Sequence, residues 1–179
     1  MCKVSQGRES REGCPGEGLS VVEGIYPVRV TPYYCSLGER EIGVRLQYEP
    51  SVQELSDTGD PDPLGEEGLF PLQGVLHKYP DRLLVFAGRE CFVHCRHCNR
   101  KRYWRDGLPS ANVDEVIAYV KAHPEIREVI LSGGDPLTLS LRELKLWLSS
   151  LRGMSSSLVI RVGTRAPVVA PNVITRELC

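Results

Sequence analysis

Three cysteines, Cys91, Cys95 and Cys98, lie within eight residues and offer the clearest chemistry in this sequence. Thiolates are the usual protein ligands of iron–sulfur clusters and also bind soft metal ions. Cysteines this close together can hardly brace a core, so a disulfide framework is not expected from them. A four-iron cluster held by three thiolates keeps one iron open to another molecule. The spacing therefore predicts a metal or cluster site with one open position, where chemistry can occur.

A zinc ion is the alternative occupant of this loop, with His94 or His97 completing a tetrahedron of ligands. Structural zinc sites usually take their ligands from two separated pairs, and the sequence has no second cysteine pair. The spacing therefore favours a cluster and leaves zinc open.

Basic and aromatic residues alternate around and after the last cysteine, a pattern that also occurs in nucleic-acid-binding surfaces. The rest of the chain has no matching positive field, because the formal net charge is −1. A basic loop beside a cluster is better explained by anionic small molecules than by nucleic acid. The residues are Arg96, Arg100, Lys101, Arg102 and Arg105, with Tyr103 and Trp104.

Composition favours one soluble domain, since the chain has 179 residues of which 41% are hydrophobic. No apolar run approaches the roughly 20 residues that span a bilayer, so no membrane partner is expected. The polar N-terminus lacks the apolar segment of a secretion signal, which predicts a cytoplasmic protein. The other four cysteines are then expected to be free thiols: Cys2, Cys14, Cys35 and Cys179.

Three short apolar runs, residues 83–87, 129–131 and 158–162, predict buried strands, with a helix between each successive pair. Apolar residues recur at helical spacing after Asn112 and after Ser140, each of which has a glutamate three residues on, as in a capping box. The first stripe is Val113, Val116, Ile117 and Val120, and the second is Leu141, Leu144, Leu148 and Leu151.

This alternation predicts an α/β fold in which the strands pair in parallel through right-handed crossovers. The loops after Ala87, Leu131 and Val162 then lie at one edge of the sheet, where such folds place their sites. The cysteines are in the first of these loops, so the three loops together indicate one functional site.

A Cys-x3-Cys-x2-Cys loop after the first strand of such a sheet resembles the radical S-adenosylmethionine superfamily. The resemblance implies that Cys91, Cys95 and Cys98 hold a 4Fe-4S cluster whose fourth iron binds S-adenosylmethionine. It also implies reductive cleavage of that molecule to a 5′-deoxyadenosyl radical, with a reductant such as flavodoxin or ferredoxin.

Further stretches resemble the lysine 2,3-aminomutase family, from about residue 28 to the last residue. They are residues 30–34, 77–82, 95–102, 131–137 and 161–169, among them the sequences His-Lys-Tyr-Pro-Asp-Arg and Ser-Gly-Gly-Asp-Pro-Leu. Members of that family use pyridoxal phosphate beside S-adenosylmethionine to move an amino group between adjacent carbons of an amino acid. The resemblance implies the same isomerase activity here and leaves open which amino acid is the substrate.

The same resemblance assigns roles to individual residues. Lys78, Tyr79 and Arg82 match positions that hold the phosphate of pyridoxal phosphate, with surface ion pairing as the alternative role for Arg82. Arg100 matches the arginine that binds the substrate carboxylate. Contacts with S-adenosylmethionine are implied for His97, Gly133, Gly134, Asp135, Thr164 and Arg165. A packed imidazole is the alternative for His97, and a plain turn is the alternative for the Gly-Gly-Asp segment.

We expect a disordered tail over residues 1–20, an irregular N-terminal extension over 21–82, and the first half of a radical S-adenosylmethionine core over 83–179. The family builds a partial (β/α) barrel of six strand–helix units, and this sequence predicts about three strands. The lysine that anchors pyridoxal phosphate has no counterpart in this sequence. The expectation is a truncated barrel that is active only with a complementary C-terminal polypeptide; the alternative is a non-catalytic cluster- or zinc-binding remnant.

Overall fold

The computed structural model describes residues 17–56, 59–104 and 107–179. Cys2, Cys14, Arg105 and the first sixteen residues of the predicted tail lie outside these ranges. Among the described residues, no helix is long and apolar enough to cross a membrane.

A four-stranded sheet forms the centre of the fold, in the order β1 (Val75–Tyr79), β2 (Arg82–Gly88), β3 (Glu128–Gly133) and β4 (Val159–Val162). β2, β3 and β4 pair in parallel, whereas β1 is antiparallel to β2. The three predicted strands and their parallel pairing are therefore confirmed. The sheet is open over the described residues, and its strands alternate with helices in an α/β fold.

Strand β1 was not predicted from the sequence. Only its first two residues, Val75 and Leu76, are buried, while Lys78 and Tyr79 are exposed. The strand turns into β2 through Pro80 and Asp81, and a proline beside a short run weakens the sequence signal for a strand. β1 belongs to the predicted extension 21–82, so that segment contributes an edge strand to the sheet.

Two longer helices connect the parallel strands, and both begin at the predicted residues. α4 spans Val113–Ala122, and the side chain of its N-cap, Asn112, accepts hydrogen bonds from the amides of Asp114 and Glu115. α5 spans Leu141–Arg152 and starts with a complete capping box between Ser140 and Glu143. These caps satisfy amide groups that lack partners within the helix.

The main core lies between the sheet and these two helices. It uses the predicted stripes, with Val116 and Val120 of α4 and Leu144 and Leu151 of α5 all buried. Trp147 adds a large buried ring that the leucine stripe does not include. From the sheet, the core takes Val75, Leu83, Val85, Ala87, Val129 and Leu131.

Short helices form an N-terminal layer beside the cysteine loop. They are α1 (Glu17–Ile25), α2 (Pro32–Gly38) and α3 (Ile42–Arg45), and a 3-10 turn at Val52–Leu55 follows. α1 begins inside the segment 1–20 that was predicted to be a tail. A last helix, α6 (Ala166–Val169), follows β4 and packs on this layer. The layer and α6 share a second core of Tyr34, Tyr48, Val93, Val169 and Ala170.

Gly133, the last residue of β3, packs closely against the backbone that leads into the cysteine loop. Its φ is 112°, a conformation that side chains other than glycine rarely adopt. A Cβ atom at this position would lie 2.4 Å from the carbonyl oxygen of Gly88. Neither the backbone angle nor the space therefore permits a side chain here.

We predict that Gly133→Ala lowers the free energy of unfolding by about 2 kcal/mol or more, because strain and a backbone clash add together. Urea denaturation followed by circular dichroism measures the change. Gly163→Ala is the matched control, since a Cβ atom there meets its nearest neighbour at 3.6 Å, an ordinary contact. Equal effects of the two substitutions would contradict the prediction.

Candidate functional site

A cavity of about 340 Å³ lies where the parallel strands end, and the three loops predicted to form a site line it. All three cysteines of the motif contribute to its wall as free, half-buried thiols. The convergence of the three loops on one site is thus confirmed. Predicted site residues in the wall are Cys91, Cys95, Cys98, Arg100, Gly133, Gly134, Asp135, Thr164 and Arg165.

The N-terminal layer fixes the backbone of the cysteine loop from outside. The amide of His94 donates to the carbonyl of Arg29 at 2.9 Å, and the amide of Arg96 donates to the carbonyl of Gln47 at 2.8 Å. Within the loop, the amide of Cys98 donates to the carbonyl of Cys95 at 2.8 Å, which closes a turn between two of the cysteines. The predicted N-terminal extension therefore helps to hold the thiols in place.

The electrostatics of the cysteines reflect burial and mutual proximity. Burial, followed by the charges of Cys98 and Cys95, raises the pKa of Cys91 to about 12. Burial also raises the pKa of Cys98, and the charge of Cys95 adds to this effect. Three thiolates this close repel one another unless a cation lies between them, and a bound metal centre supplies that charge. The described residues contain no group of three His, Cys, Asp or Glu side chains placed to hold a single metal ion.

The Gly133–Gly134 segment lies directly against the backbone that leads into the cysteines. The amide of Gly134 donates to the carbonyl of Gly88 at 3.0 Å, and the amide of Asp135 donates to the carbonyl of Glu90 at 2.6 Å. A Cβ atom on Gly134 would lie 2.1 Å from the carbonyl oxygen of Glu90. The two glycines thus allow the β3 loop to contact the β2 loop, in addition to the predicted role of the segment in ligand binding.

Asp135 is buried and joins two of the site loops. One carboxylate oxygen accepts from the hydroxyl of Thr164 at 2.6 Å and from the amide of Leu137 at 3.0 Å. The other accepts from the amide of Arg165 at 2.8 Å. The carboxylate therefore determines where the loop after β4 lies relative to the loop after β3.

The guanidinium of Arg165 reaches from this loop to a cysteine sulfur. Nη1 donates to Sγ of Cys95, while Nη2 donates to Oε1 of Gln47 at 2.7 Å and to the hydroxyl of Tyr34 at 3.2 Å. Burial lowers the pKa of Arg165, but the charges of Cys95 and Tyr34 and the hydrogen bonds to both residues together outweigh burial, so the net shift is upward. Arg165 thus stays a cation next to a cysteine of the motif.

Arg100 also lies in the cavity wall, where it forms a two-point ion pair with Glu66. Its Nε is 2.9 Å from Oε2 of Glu66, and its Nη2 contacts Oε1. Glu66 is only 2% exposed, and Arg102 reinforces this region by pairing with Asp62 at 2.9 Å. Within the part of the chain that the structure describes, Nη1 of Arg100 has no hydrogen-bond partner.

The two histidines between the cysteines have different surroundings. Nδ1 of His94 lies 2.9 Å from the carbonyl of Pro27, and its ring stacks on Trp104 with centroids 4.7 Å apart. His97 is exposed, and burial followed by the charge of Arg165 lowers its pKa. Neither imidazole lines the cavity that contains the three thiols. The contact between His97 and an adenosyl group stays a prediction.

The predicted phosphate-binding residues lie elsewhere in the fold. Lys78 and Tyr79 end β1, and Arg82 begins β2, whereas the cysteines follow the other end of β2. Gly88 is six positions after Arg82 along the strand, which corresponds to about 20 Å. Arg82 pairs with Glu128 at 3.2 Å, and the ammonium of Lys78 donates to the carbonyl of Leu64. The structure does not bring these three residues into the cysteine cavity.

Several residues that support the site were not identified from the sequence: Tyr34, Gln47, Glu54 and Glu66. Glu66 lies in the N-terminal extension that was predicted to be irregular. Its only local signal is an acidic residue next to Gly65 in a Pro- and Gly-rich stretch. Tyr34 belongs to α2 and Gln47 lies in the turn after α3, and the two meet Arg165 only in three dimensions. No local pattern identifies such contacts.

The family model described as a 4Fe-4S single cluster domain matches residues 81–162, which include the cysteine loop and all three parallel strands. This match agrees with the geometry of the site and indicates the class of domain, one described by a single 4Fe-4S cluster.

Curated relatives narrow the class further. The chain is 45% identical over 165 residues to a putative L-lysine 2,3-aminomutase of Aquifex aeolicus, covering 87% of this chain and 44% of the relative. It is 39% identical over 171 residues to the L-lysine 2,3-aminomutase of Bacillus subtilis, covering 91% and 36%. A glutamate 2,3-aminomutase of Clostridioides difficile is 39% identical over 157 residues, covering 84% and 37%.

The chain therefore belongs to the lysine 2,3-aminomutase family, as its motifs indicated. It spans less than half the length of each of these three relatives. Their names include both lysine and glutamate enzymes, so similarity alone leaves the substrate of this chain open.

The ion pair between Glu54 and Arg96 should make the stability of the fold depend on pH. Arg96 donates to both carboxylate oxygens of Glu54, at 3.0 and 2.7 Å. Burial raises the pKa of Glu54, but hydrogen bonding and the charge of Arg96 outweigh it, so the pKa falls below the usual 4.5. The stabilisation is therefore complete above pH 4.5 and is lost as the pH falls through the lowered pKa of the folded state.

We predict that Glu54→Gln lowers the free energy of unfolding by about 3 kcal/mol at pH 7, because it leaves a buried cation without its counter-charge. The difference from wild type should shrink below pH 4.5, since protonated glutamate is then as neutral as glutamine. Urea denaturation between pH 3 and 7 measures it. Glu49→Gln is the control, since its ion pair with Arg45 is exposed and should contribute under about 1 kcal/mol. A difference that is constant over this pH range would contradict the prediction.

Proposed function

We propose that this chain binds a 4Fe-4S cluster through Cys91, Cys95 and Cys98 and uses it to cleave S-adenosylmethionine. The observation that supports this most strongly is the cavity itself, where three free thiols face the Gly133–Asp135 loop and the loop after β4. Membership in the lysine 2,3-aminomutase family and the match to a single-cluster domain point to the same chemistry.

The donor set fits such a cluster. Three thiols line one cavity and disfavour one another's charge, a situation that bound iron relieves. When bound and reduced, a four-iron cluster supplies one electron to the sulfonium of S-adenosylmethionine. Cys91, Cys95 and Cys98 would hold three of the four irons, and the fourth would be open to S-adenosylmethionine.

Asp135 and Arg100 provide opposite charges around this position. A carboxylate offers about four acceptor sites, and Asp135 uses three of them for Leu137, Thr164 and Arg165. We propose that the remaining site accepts from the ammonium of S-adenosylmethionine. Arg100 presents Nη1 while Glu66 holds the other side of its guanidinium. We propose that this free edge binds the carboxylate of the amino-acid substrate.

From the names of the relatives, we propose that the whole reaction moves an amino group between adjacent carbons of an amino acid. We propose that the sheet is part of a (β/α) barrel of the radical S-adenosylmethionine type. A one-electron reductant such as flavodoxin or ferredoxin is proposed as a partner. A reducing, cytoplasmic compartment is proposed as well, since the cysteines must stay reduced to bind iron.

The geometry of this cavity does not support the proposed binding of pyridoxal phosphate. Lys78, Tyr79 and Arg82 lie at the far end of β2, and Arg82 is paired with Glu128. These residues do not fit a cofactor that shares the cysteine cavity of the same chain. We therefore assign no step of the reaction to pyridoxal phosphate here.

We predict that Cys91→Ala, Cys95→Ala and Cys98→Ala each abolish formation of the 4Fe-4S cluster when the chain is reconstituted anaerobically with iron and sulfide. Each substitution removes one of only three thiolate ligands. Visible charge-transfer absorption and the iron and sulfide content measure the loss. Cys35→Ala is the matched control and should bind a full cluster, because Cys35 is a half-buried free thiol on α2 outside the cavity. Cluster formation unaffected by all three substitutions would contradict the assignment.

We also predict that the reconstituted chain, reduced with dithionite, converts S-adenosylmethionine into 5′-deoxyadenosine and methionine. Mass spectrometry detects both products, and electron paramagnetic resonance should show a changed cluster signal when S-adenosylmethionine binds. A cluster that forms without a changed signal or cleavage would contradict the proposed function. Failure to form a cluster, with stoichiometric zinc under the same anaerobic conditions, would favour a zinc site instead.

A further inference from the structure

We infer that Arg165 raises the reduction potential of the cluster, through a hydrogen bond to the sulfur of Cys95 that Tyr34 and Gln47 hold in place. The inference rests on the proposed function, because it requires a cluster on the three cysteines. It gives Arg165 a role toward the cluster ligand itself, and it gives the N-terminal layer a part in the redox chemistry.

The first observation is the direct contact. Nη1 of Arg165 donates to Sγ of Cys95, across 70 positions of sequence. A thiolate that ligates iron keeps lone pairs that can accept such a bond. Hydrogen bonds and positive charge at cluster sulfurs stabilise the reduced state, because it carries one more negative charge. Arg165 should therefore make the cluster easier to reduce.

The second observation is that the guanidinium has little freedom to turn away. Nη2 donates to Gln47 at 2.7 Å and to Tyr34 at 3.2 Å, and the Tyr34 hydroxyl donates to the same oxygen of Gln47 at 2.9 Å. Tyr34 is 2% exposed, so it is a fixed support. The backbone of Arg165 is tied separately, through its amide, to Asp135.

These contacts divide the roles among the residues. Arg165 acts on the cluster ligand, while Tyr34 and Gln47 are positioning residues that act through Arg165. Tyr34 belongs to α2, and Gln47 follows α3, so both come from the N-terminal layer. The short helices before the sheet therefore contribute to the properties of the metal centre as well as to packing.

The test is a potentiometric titration of the whole reconstituted chain, monitored by the electron paramagnetic resonance of the reduced cluster. In Arg165→Met, which loses the charge and the donors, the ratio of reduced to oxidised cluster at a given potential should fall about tenfold. For a one-electron couple this is a downward shift of about 59 mV. Arg165→Lys keeps the charge and should shift less. Tyr34→Phe removes one support and should shift in the same direction by a smaller amount.

Arg161→Met is the matched control. Arg161 lies on β4, four positions before Arg165, and pairs with Glu128 at 2.6 Å with a largely exposed side chain. It removes the same unit of charge without touching a cysteine, so its potential should equal that of wild type. An equal shift of the reduction potential in Arg161→Met and Arg165→Met would overturn the inference, because loss of one positive charge would then explain the shift without the hydrogen bond to Cys95.

Cluster content separates failure of this inference from failure of the proposed function. A wild-type chain that forms no cluster contradicts the proposed function and this inference with it. A cluster that forms in wild type and in Arg165→Met with the same potential overturns only the inference. If Arg165→Met loses the cluster, Arg165→Lys and Tyr34→Phe decide: lowered potentials in both support the inference, and unchanged potentials overturn it.

Discussion

The close approach of two backbones, at Gly133–Gly134 and at residues 88–90, is the constraint on which the site depends. Parallel pairing of β2 and β3 brings their ends together, but a side chain at either glycine would separate the loops. Contact between the loops lets Asp135 reach both its own turn and the loop after β4. The cysteine loop, the acid and Arg165 are therefore positioned by one packing requirement.

Charge balance is the second organising feature. Burial and the neighbouring thiols raise the pKa of Cys91 and of Cys98, and cations approach the three cysteines from two sides. Arg165 is held by neutral groups, a phenol and an amide, and therefore keeps its charge for Cys95. Arg100 is held by the buried carboxylate of Glu66. The guanidinium of Arg165 thus faces the thiols without an acidic partner, whereas Glu66 partly neutralises the charge of Arg100.

The N-terminal layer connects these features to the rest of the chain. It holds the cysteine loop by backbone hydrogen bonds to Arg29 and Gln47 and by the ion pair of Arg96 with Glu54. It also packs its own small core against α6, around Tyr34 and Val169. Gln47 supports both parts of the site, because its carbonyl accepts from the amide of Arg96 in the loop and its side chain accepts from Arg165. The layer is far from the segment that was predicted to bind a phosphate group, since Lys78 and Arg82 lie at the opposite end of the sheet.

The sequence by itself determined the strand–helix alternation, both helix caps, the parallel pairing and the edge at which the cysteines lie. These features are local or follow from chain direction: hydrophobic period, caps such as Ser140, and the rule that parallel strands end together. Only the tertiary structure decided which residues surround the thiols, because Arg165 is more than a hundred positions away from Tyr34 and from Gln47 and shares no pattern with them. The tertiary structure also decided that Arg82 lies about 20 Å from the start of the cysteine loop, because the two motifs lie at opposite ends of the extended strand β2.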